Sequence, residues 1–307
     1  MTSDAATFKD DFDRSLSLRQ RLKQRGIDGV TLLVLPAALL IVGLFVYPFL
    51  YGLFLSVMPK AGAAASPLAN YHRFFSDPFL YDTVGTTLWL ALPATMLNML
   101  LSVPVAMRVR LMARQRLLTT ILVLPITLGA VLVAEGLLNY LGPQGWLNRV
   151  LMTLGLASGP VRLVHNYWGV LIALIIHSFP FTFLLTLSYV TGIDPSLEQA
   201  ASTLGASARA RFRHIILPLL LPGLAITFCL SFVQDFAVFP SAVLLGAPAG
   251  PTRVISIAAY QAAFEEYDYS MASAIAMIMG FVQLIVVAAV LGLRNLAYRG
   301  PAAGGKG

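Results

Sequence analysis

Six apolar stretches, each long enough to cross the hydrocarbon core of a bilayer, constrain this sequence more than any other feature. They run approximately Val30 to Val57, Val84 to Met107, Leu117 to Leu141, Tyr167 to Val190, Ile215 to Phe239 and Met271 to Leu293. About 20 apolar residues at 1.5 Å each span roughly 30 Å of lipid. Runs this continuous are unlike the alternating strands of about ten residues that build membrane barrels. In lipid, each spanning segment must satisfy its own backbone polar groups, and a helix does so internally. The expected fold is therefore all-α, a polytopic membrane protein with six transmembrane helices. Composition agrees, since 58% of the 307 residues are hydrophobic and 11% are charged, whereas soluble domains draw about a quarter of their residues from the charged types. The same figures exclude disorder, whose signature is high charge with low hydrophobicity.

Charge sets the orientation. The net charge of +7 could suggest nucleic acid, but its distribution follows the topology. Sixteen of the 21 basic residues fall on one side: Lys9, Arg14, Arg19, Arg21, Lys23 and Arg25 before the first span, Arg108, Arg110, Arg114 and Arg116 after the second, Arg209, Arg211 and Arg213 after the fourth, and Arg294, Arg299 and Lys306 after the sixth. The other side receives Lys60, Arg73, Arg149, Arg162 and Arg253. The positive-inside rule then places both termini in the cytoplasm of a multi-pass cell (inner) membrane protein. No aromatic-interleaved basic module accompanies the charge, so no nucleic-acid partner is expected. The first run follows a polar tail and lacks a small-residue cleavage site, so it reads as a retained helix rather than a signal peptide. Residues 1–29 form a cytoplasmic tail, 30–293 the six-helix domain, and 294–307 a second cytoplasmic tail, flexible by composition.

The lone cysteine, Cys229, allows neither an intrachain disulfide nor a Cys-based metal cluster. His177 has no second ligand three or four residues on, so no metal site is expected.

The cytoplasmic loop between spans four and five, residues 194–218, carries the most local information. Asp194 can cap a short helix with Pro195 at its first position, where a missing N–H costs nothing. Gly205 can adopt a positive φ, ending that helix and turning the chain. A second helical stretch runs to Ile215, and Leu217-Pro218 leads into the fifth span. Leu197, Ala201 and Leu204 share one face of the first helix, a small-residue surface with an apolar stripe that suits docking onto another protein.

This loop resembles the signature of binding-protein-dependent ABC importer permeases: Glu-Ala-Ala, three residues, Gly, nine residues, then Ile-x-Leu-Pro. Ala200 and Ala201, Gly205, and Ile215, Leu217 and Pro218 match with every spacing kept. Gln199 occupies the glutamate position, with Glu198 one residue earlier. Pro36, Tyr47-Pro48, Asn70-Tyr71, Gly142-Pro143-Gln144-Gly145 and Asp235-Phe236 are similar to such permeases too. The extended tail and first span resemble the polyamine-type branch.

The resemblance implies a type I importer permease fold and a non-catalytic chain forming half of a solute pathway. It implies a cytoplasmic ABC ATPase dimer as partner, which binds the ATP and Mg, so no cofactor is expected in this chain. A second permease subunit, identical or homologous, and an extracytoplasmic solute-binding protein complete the set. The segment Gln199 to Gly205, with Glu198, is then where ATPase motion is transmitted. For Arg209, Arg211 and Arg213 two readings stand side by side: contact with acidic ATPase surface or the phosphates of membrane lipids, and plain positive-inside anchoring.

Ionisable residues inside membrane spans mark function by default, and three stand out: Glu135, His177 and Asp235. Glu135 and Asp235 both fall in the outer part of the membrane and could attract a cationic solute such as a polyamine, with Glu265, Glu266 and Asp268 adding to the field. The alternative is a stand-alone secondary transporter or channel in which Glu135, His177 and Asp235 relay protons or ions. The absence of an inverted repeat and the presence of a docking loop argue against it. Peptidase motifs such as Gly-x-Ser-x-Gly or His-Glu-x-x-His are absent.

Overall fold

The computed structural model describes residues 29–58 and 66–297, and within these every regular element is helical. The basic residues counted in the tails before Gly29 and after Ala297, together with Lys60, lie outside the described residues. Six helical stretches are long and apolar enough to cross a membrane: Leu33–Ser56, Pro78–Val109, Gln115–Thr153, Tyr167–Thr191, Ala208–Phe236 and Tyr269–Arg294.

Contacts divide the chain into Met1–Leu55 and Ser56–Gly307. In the first unit, α1 (Gly29–Ile41) passes through one π-helical turn, Val42–Val46, into α2 (Tyr47–Ser56), whose last residue is counted with the second unit. The second unit holds α3 (Ala69–Ser76), α4 (Pro78–Val109), α5 (Gln115–Leu141), α6 (Trp146–Thr153), α7 (Tyr167–Thr191), α8 (Pro195–Thr203), α9 (Ala208–Arg211), α10 (Leu217–Phe236), α11 (Pro240–Leu245), α12 (Ile255–Tyr260) and α13 (Tyr269–Ala297). The π turns at Val42–Val46 and Phe212–Ile216 each precede a proline by two residues, Pro48 and Pro218. A proline ring clashes with the carbonyl four residues back, and a widened turn is one way a helix absorbs that conflict. Span five is therefore continuous with α9, and begins earlier than the apolar run from Ile215. Span three departs from the single continuous helix expected: Gly129 sits at φ 75 inside α5 and kinks it, a conformation that only glycine adopts cheaply.

Packing follows the logic of membranes, where apolar burial gives no driving force and small residues let helices approach. The buried face of α4 is Thr83, Thr87, Ala91, Ala94, Thr95, Asn98, Ser102 and Ala106, spaced by three and four, with Leu90 and Val109 also enclosed. Its large side chains Trp89, Leu97, Leu100 and Leu101 point outward. This small face packs on α7 and α10, and the α4–α7 contact is the most extensive in the unit.

At one end of this bundle, Asp77 caps α4 by accepting from the Phe79 amide at 2.9 Å. Arg253 stacks on the Phe79 ring, its guanidinium carbon 3.8 Å from the centroid, and donates to the Phe79 carbonyl at 2.7 Å. The Thr87 hydroxyl accepts from the Ile255 amide at 2.9 Å, fixing the start of α12 against α4. Asp268 accepts from the Met271 amide at 3.0 Å in the first turn of α13 and lies 3.5 Å from Arg73. Glu266 is 3.9 Å from the same arginine. Two of the three outer acids thus have structural partners.

Candidate functional site

The loop between α7 and α10 forms two short helices with no buried residue, and its local chemistry explains each boundary. Asp194 accepts from the Ser196 amide at 2.8 Å and Pro195 opens α8. The backbone bond from Ser196, and then the Ser196 side chain, hold the Asp194 carboxyl below its usual range, because the ionised form is the better acceptor. A depressed carboxyl stabilises the fold at neutral pH, and that contribution is lost as pH falls through the lowered value. At the other end, the Gly205 amide donates to Ser202 O at 3.0 Å and the Ala206 amide to Ala201 O at 3.0 Å, with Gly205 at φ 80. This pair of bonds is the Schellman motif, which requires a left-handed residue after the helix. Ser207 caps α9 by accepting from the Ala210 amide at 3.3 Å.

None of the residues of α8 is buried. Gln199 and Ala200 are exposed, Ala201 is half-buried, and Leu204 is 88% exposed. Arg209 is exposed, while Arg211 turns back to donate to the Ala206 carbonyl at 2.9 Å and to the Ser202 hydroxyl at 3.3 Å. Ile215, Leu217 and Pro218 are half-buried where the π turn joins α10, beside buried Ile216. Glu198, half-buried like Ala201, pairs with Arg110 at the end of α4.

Replacing Asp194 by alanine removes the cap and should speed deuterium exchange across residues 196–203. Asp194→Ser, which restores a capping oxygen, should return exchange toward the parent rate at neutral pH. Equal exchange in all three chains would refute the capping role.

The intramembrane candidates are not brought together. Glu135 is exposed on α5, with Asn139 donating to its carbonyl at 3.0 Å and to its carboxylate at 3.4 Å. His177 is half-buried, and its Nδ1 has no partner among the described residues. Asp235 is 0% exposed. One carboxylate oxygen accepts from Thr95 of α4 at 2.7 Å, and the other accepts from Ser178 of α7. Among the described residues, no hydrogen bond links Glu135, His177 and Asp235 to one another.

Asp235 heads a polar seam that hydropathy did not reveal. The Thr182 and Ser231 hydroxyls lie 2.8 Å apart, and those of Ser102 and Thr186 lie 3.0 Å apart. Both side-chain polar atoms of Asn98 and the Thr227 hydroxyl are buried without partners among the described residues. The signal was present as four-residue spacing, Ser178, Thr182, Thr186 on α7 and Thr227, Ser231, Asp235 on α10, which puts each set on one helix face.

The family model described as "Binding-protein-dependent transport system inner membrane component" matches residues 98–296, a stretch containing the whole seam except Thr95 and all of the α7–α10 loop. The chain belongs to this family. Among its relatives, the probable sulfate transport system permease protein cysT of Prototheca wickerhamii is 33% identical over 165 residues, 53% of this chain and 62% of that protein. The spermidine/putrescine permease PotB of Haemophilus influenzae is 32% identical over 181 residues, 58% of this chain and 63% of that protein. The matches thus cover less than two thirds of either relative. The fold matches a permease chain of the bacterial alginate ABC transporter, solved with its alginate-bound periplasmic protein, at a TM-score of 0.74 and 21% identity, covering 89% of this chain and 95% of the other. The family and the six spans identify an inner membrane, multi-pass permease component.

Proposed function

We propose that the chain forms half of the solute pathway of an ATP-driven importer. It would work with a cytoplasmic ATPase dimer, a second permease subunit and an extracytoplasmic binding protein, with both of its own termini in the cytoplasm. The observation that carries this reading is α8: a helix capped at both ends, outside the apolar spans, with Leu197 exposed on its surface and Leu204 exposed at its C-terminal cap. Apolar side chains held on a rigid exposed helix are the mark of a docking surface. Gln199, Ala200, Ala201, Leu204 and Gly205 would enter a cleft on the ATPase, with Arg209 on the flank. ATP and Mg belong to that partner, and this chain performs no hydrolysis. Closure of the ATPase pair pushes on α8, and rigid motion of the attached spans switches access.

For the solute we propose a small polar compound of the cationic, polyamine kind, supported by the similarity to spermidine/putrescine permeases. Of the three intramembrane candidates, Glu135 is the acid exposed along a span and is the one we assign to the pathway.

Purification of the tagged chain in mild detergent, expressed at native level, tests the reading. It should co-purify with a cytoplasmic ATPase in stoichiometric amount and with ATP turnover, and vesicles holding the complex should take up spermidine. Sulfate uptake instead would overturn the solute assignment alone. Recovery of the chain without any ATPase would overturn the importer reading and favour the secondary transporter.

A further inference from the structure

Arg110 is the residue at which the α7–α10 loop meets the membrane bundle. It closes α4 as the residue after Val109, and its side chain is 9% exposed. One terminal nitrogen of its guanidinium donates to the Glu198 carboxylate on α8, 88 residues away in sequence. The other reaches the Val190 carbonyl in the last turn of α7 at 3.4 Å, where the negative end of the helix dipole favours a cation. The Nε is buried without a partner among the described residues. Beside it, Val109, Val190, Ile193, Ile216 and Leu220 share one apolar cluster, so the chain entering α8 and the turn entering α10 are packed on the same spot. A guanidinium forks in fixed geometry and cannot lose its charge, so a displacement of α8 is felt at α4 and α7 rather than absorbed by a slack side chain.

We propose that Arg110 is a positioning residue for coupling, a strut that transmits movement of α8 into α4 and α7 through its ion pair with Glu198. This rests on the importer reading above and adds to it a residue outside the loop signature. It also assigns Glu198 an intrachain role: the acid one position before Gln199 faces its own membrane domain rather than an ATPase.

The test uses the assembled complex, so no knowledge of the solute is needed. In a Cys229→Ser background, Tyr81→Cys places a thiol near the far end of α4, at a position 42% exposed, and its maleimide labelling rate is read with and without ATP plus vanadate. The parent should show a nucleotide-dependent change in rate. Arg110→Gln should reduce that change about tenfold, within the range by which a coupling residue alters communication between sites. Glu198→Gln should do the same, and Glu198→Asp, which keeps a carboxylate for the guanidinium, should retain most of it. Arg110→Gln should still hold the ATPase, which separates lost coupling from lost docking. If Arg110→Gln fails to accumulate, Glu198→Gln and Glu198→Asp carry the test, because both leave Arg110 in place and still offer its guanidinium an oxygen acceptor. Arg110→Gln and Glu198→Gln that respond like the parent, or Glu198→Asp no better than Glu198→Gln, would overturn the strut. A parent chain that binds no ATPase would instead overturn the importer reading.

Discussion

Gly205→Pro should abolish coupled uptake while leaving the chain in the membrane. The Gly205 φ of 80 lies far from the value near −65° to which a proline ring is locked. The substitution also deletes the amide that donates to Ser202 O at 3.0 Å. Beyond Gly205 and its two chain neighbours, no atom lies within 4 Å of where a Cβ would stand, so the conflict is one of backbone conformation and not of space. A graded series follows. Gly205→Ala retains the N–H and meets only the left-handed penalty of about 1–2 kcal/mol. Its uptake should fall by roughly tenfold, since that penalty converts at about 1.4 kcal/mol per factor of ten. Proline cannot adopt the angle at all, so α8 must end elsewhere or swing away, and uptake should fall to background. The measurement is uptake against ATP hydrolysis in vesicles, with membrane insertion checked separately. Parent-like uptake in Gly205→Pro would show that the bend does not position α8 for its partner.

What could be read from sequence divides by range. The six spans were legible because hydropathy integrates over a whole helix and tolerates local irregularity. The limits of α8 were legible because Asp194, Pro195 and Gly205 act on backbone groups within a few residues of themselves. Long-range pairing was not. Thr95 and Asp235 are 140 positions apart, and nothing in either neighbourhood names the other. A threonine inside an apolar run also has an innocent local solution, because its hydroxyl can donate to a carbonyl one turn back. Thr186 donates in this way to Thr182 O at 2.7 Å and still meets Ser102 across the helix interface. The Gly129 kink was hidden for the same reason as the seam: a single glycine in an apolar helix usually costs only about 1 kcal/mol and leaves the helix intact.

Under the coupling proposed above, the seam gives a push on α8 a route through the bundle. In lipid, helices are held together by close packing and polar contacts, with double-mutant cycles averaging about 0.6 kcal/mol per interhelical hydrogen bond. Three helices joined by several such bonds move as a body, since no single bond has to carry the load. α4 and α7, which Arg110 links to α8, supply two sides of that body, and α10, which grows directly out of the loop, supplies the third.

Asp235 decides how that body is held, and two substitutions separate its roles. Its carboxylate is enclosed by neutral donors, Thr95 and Ser178, with no basic side chain bonded to it among the described residues. Asp235→Asn keeps an acceptor oxygen and adds an N–H₂ that either hydroxyl can accept from, while removing the cost of enclosing charge. It should be at least as stable as the parent, and its uptake should follow. Asp235→Ala takes away the acceptor for both hydroxyls and leaves a void at the junction of three helices. The expected loss is about 2–3 kcal/mol, which lowers the unfolding midpoint by roughly 5 °C for a chain of this size. Thermal unfolding in detergent, run beside spermidine uptake, provides both readings. Asparagine and alanine equally destabilised would mean that the negative charge itself is needed in the resting fold. A stable Asp235→Asn chain that has lost uptake would instead place the carboxylate against a cationic solute during transport, because the hydrogen-bonded tie would be intact and the charge would be all that had gone.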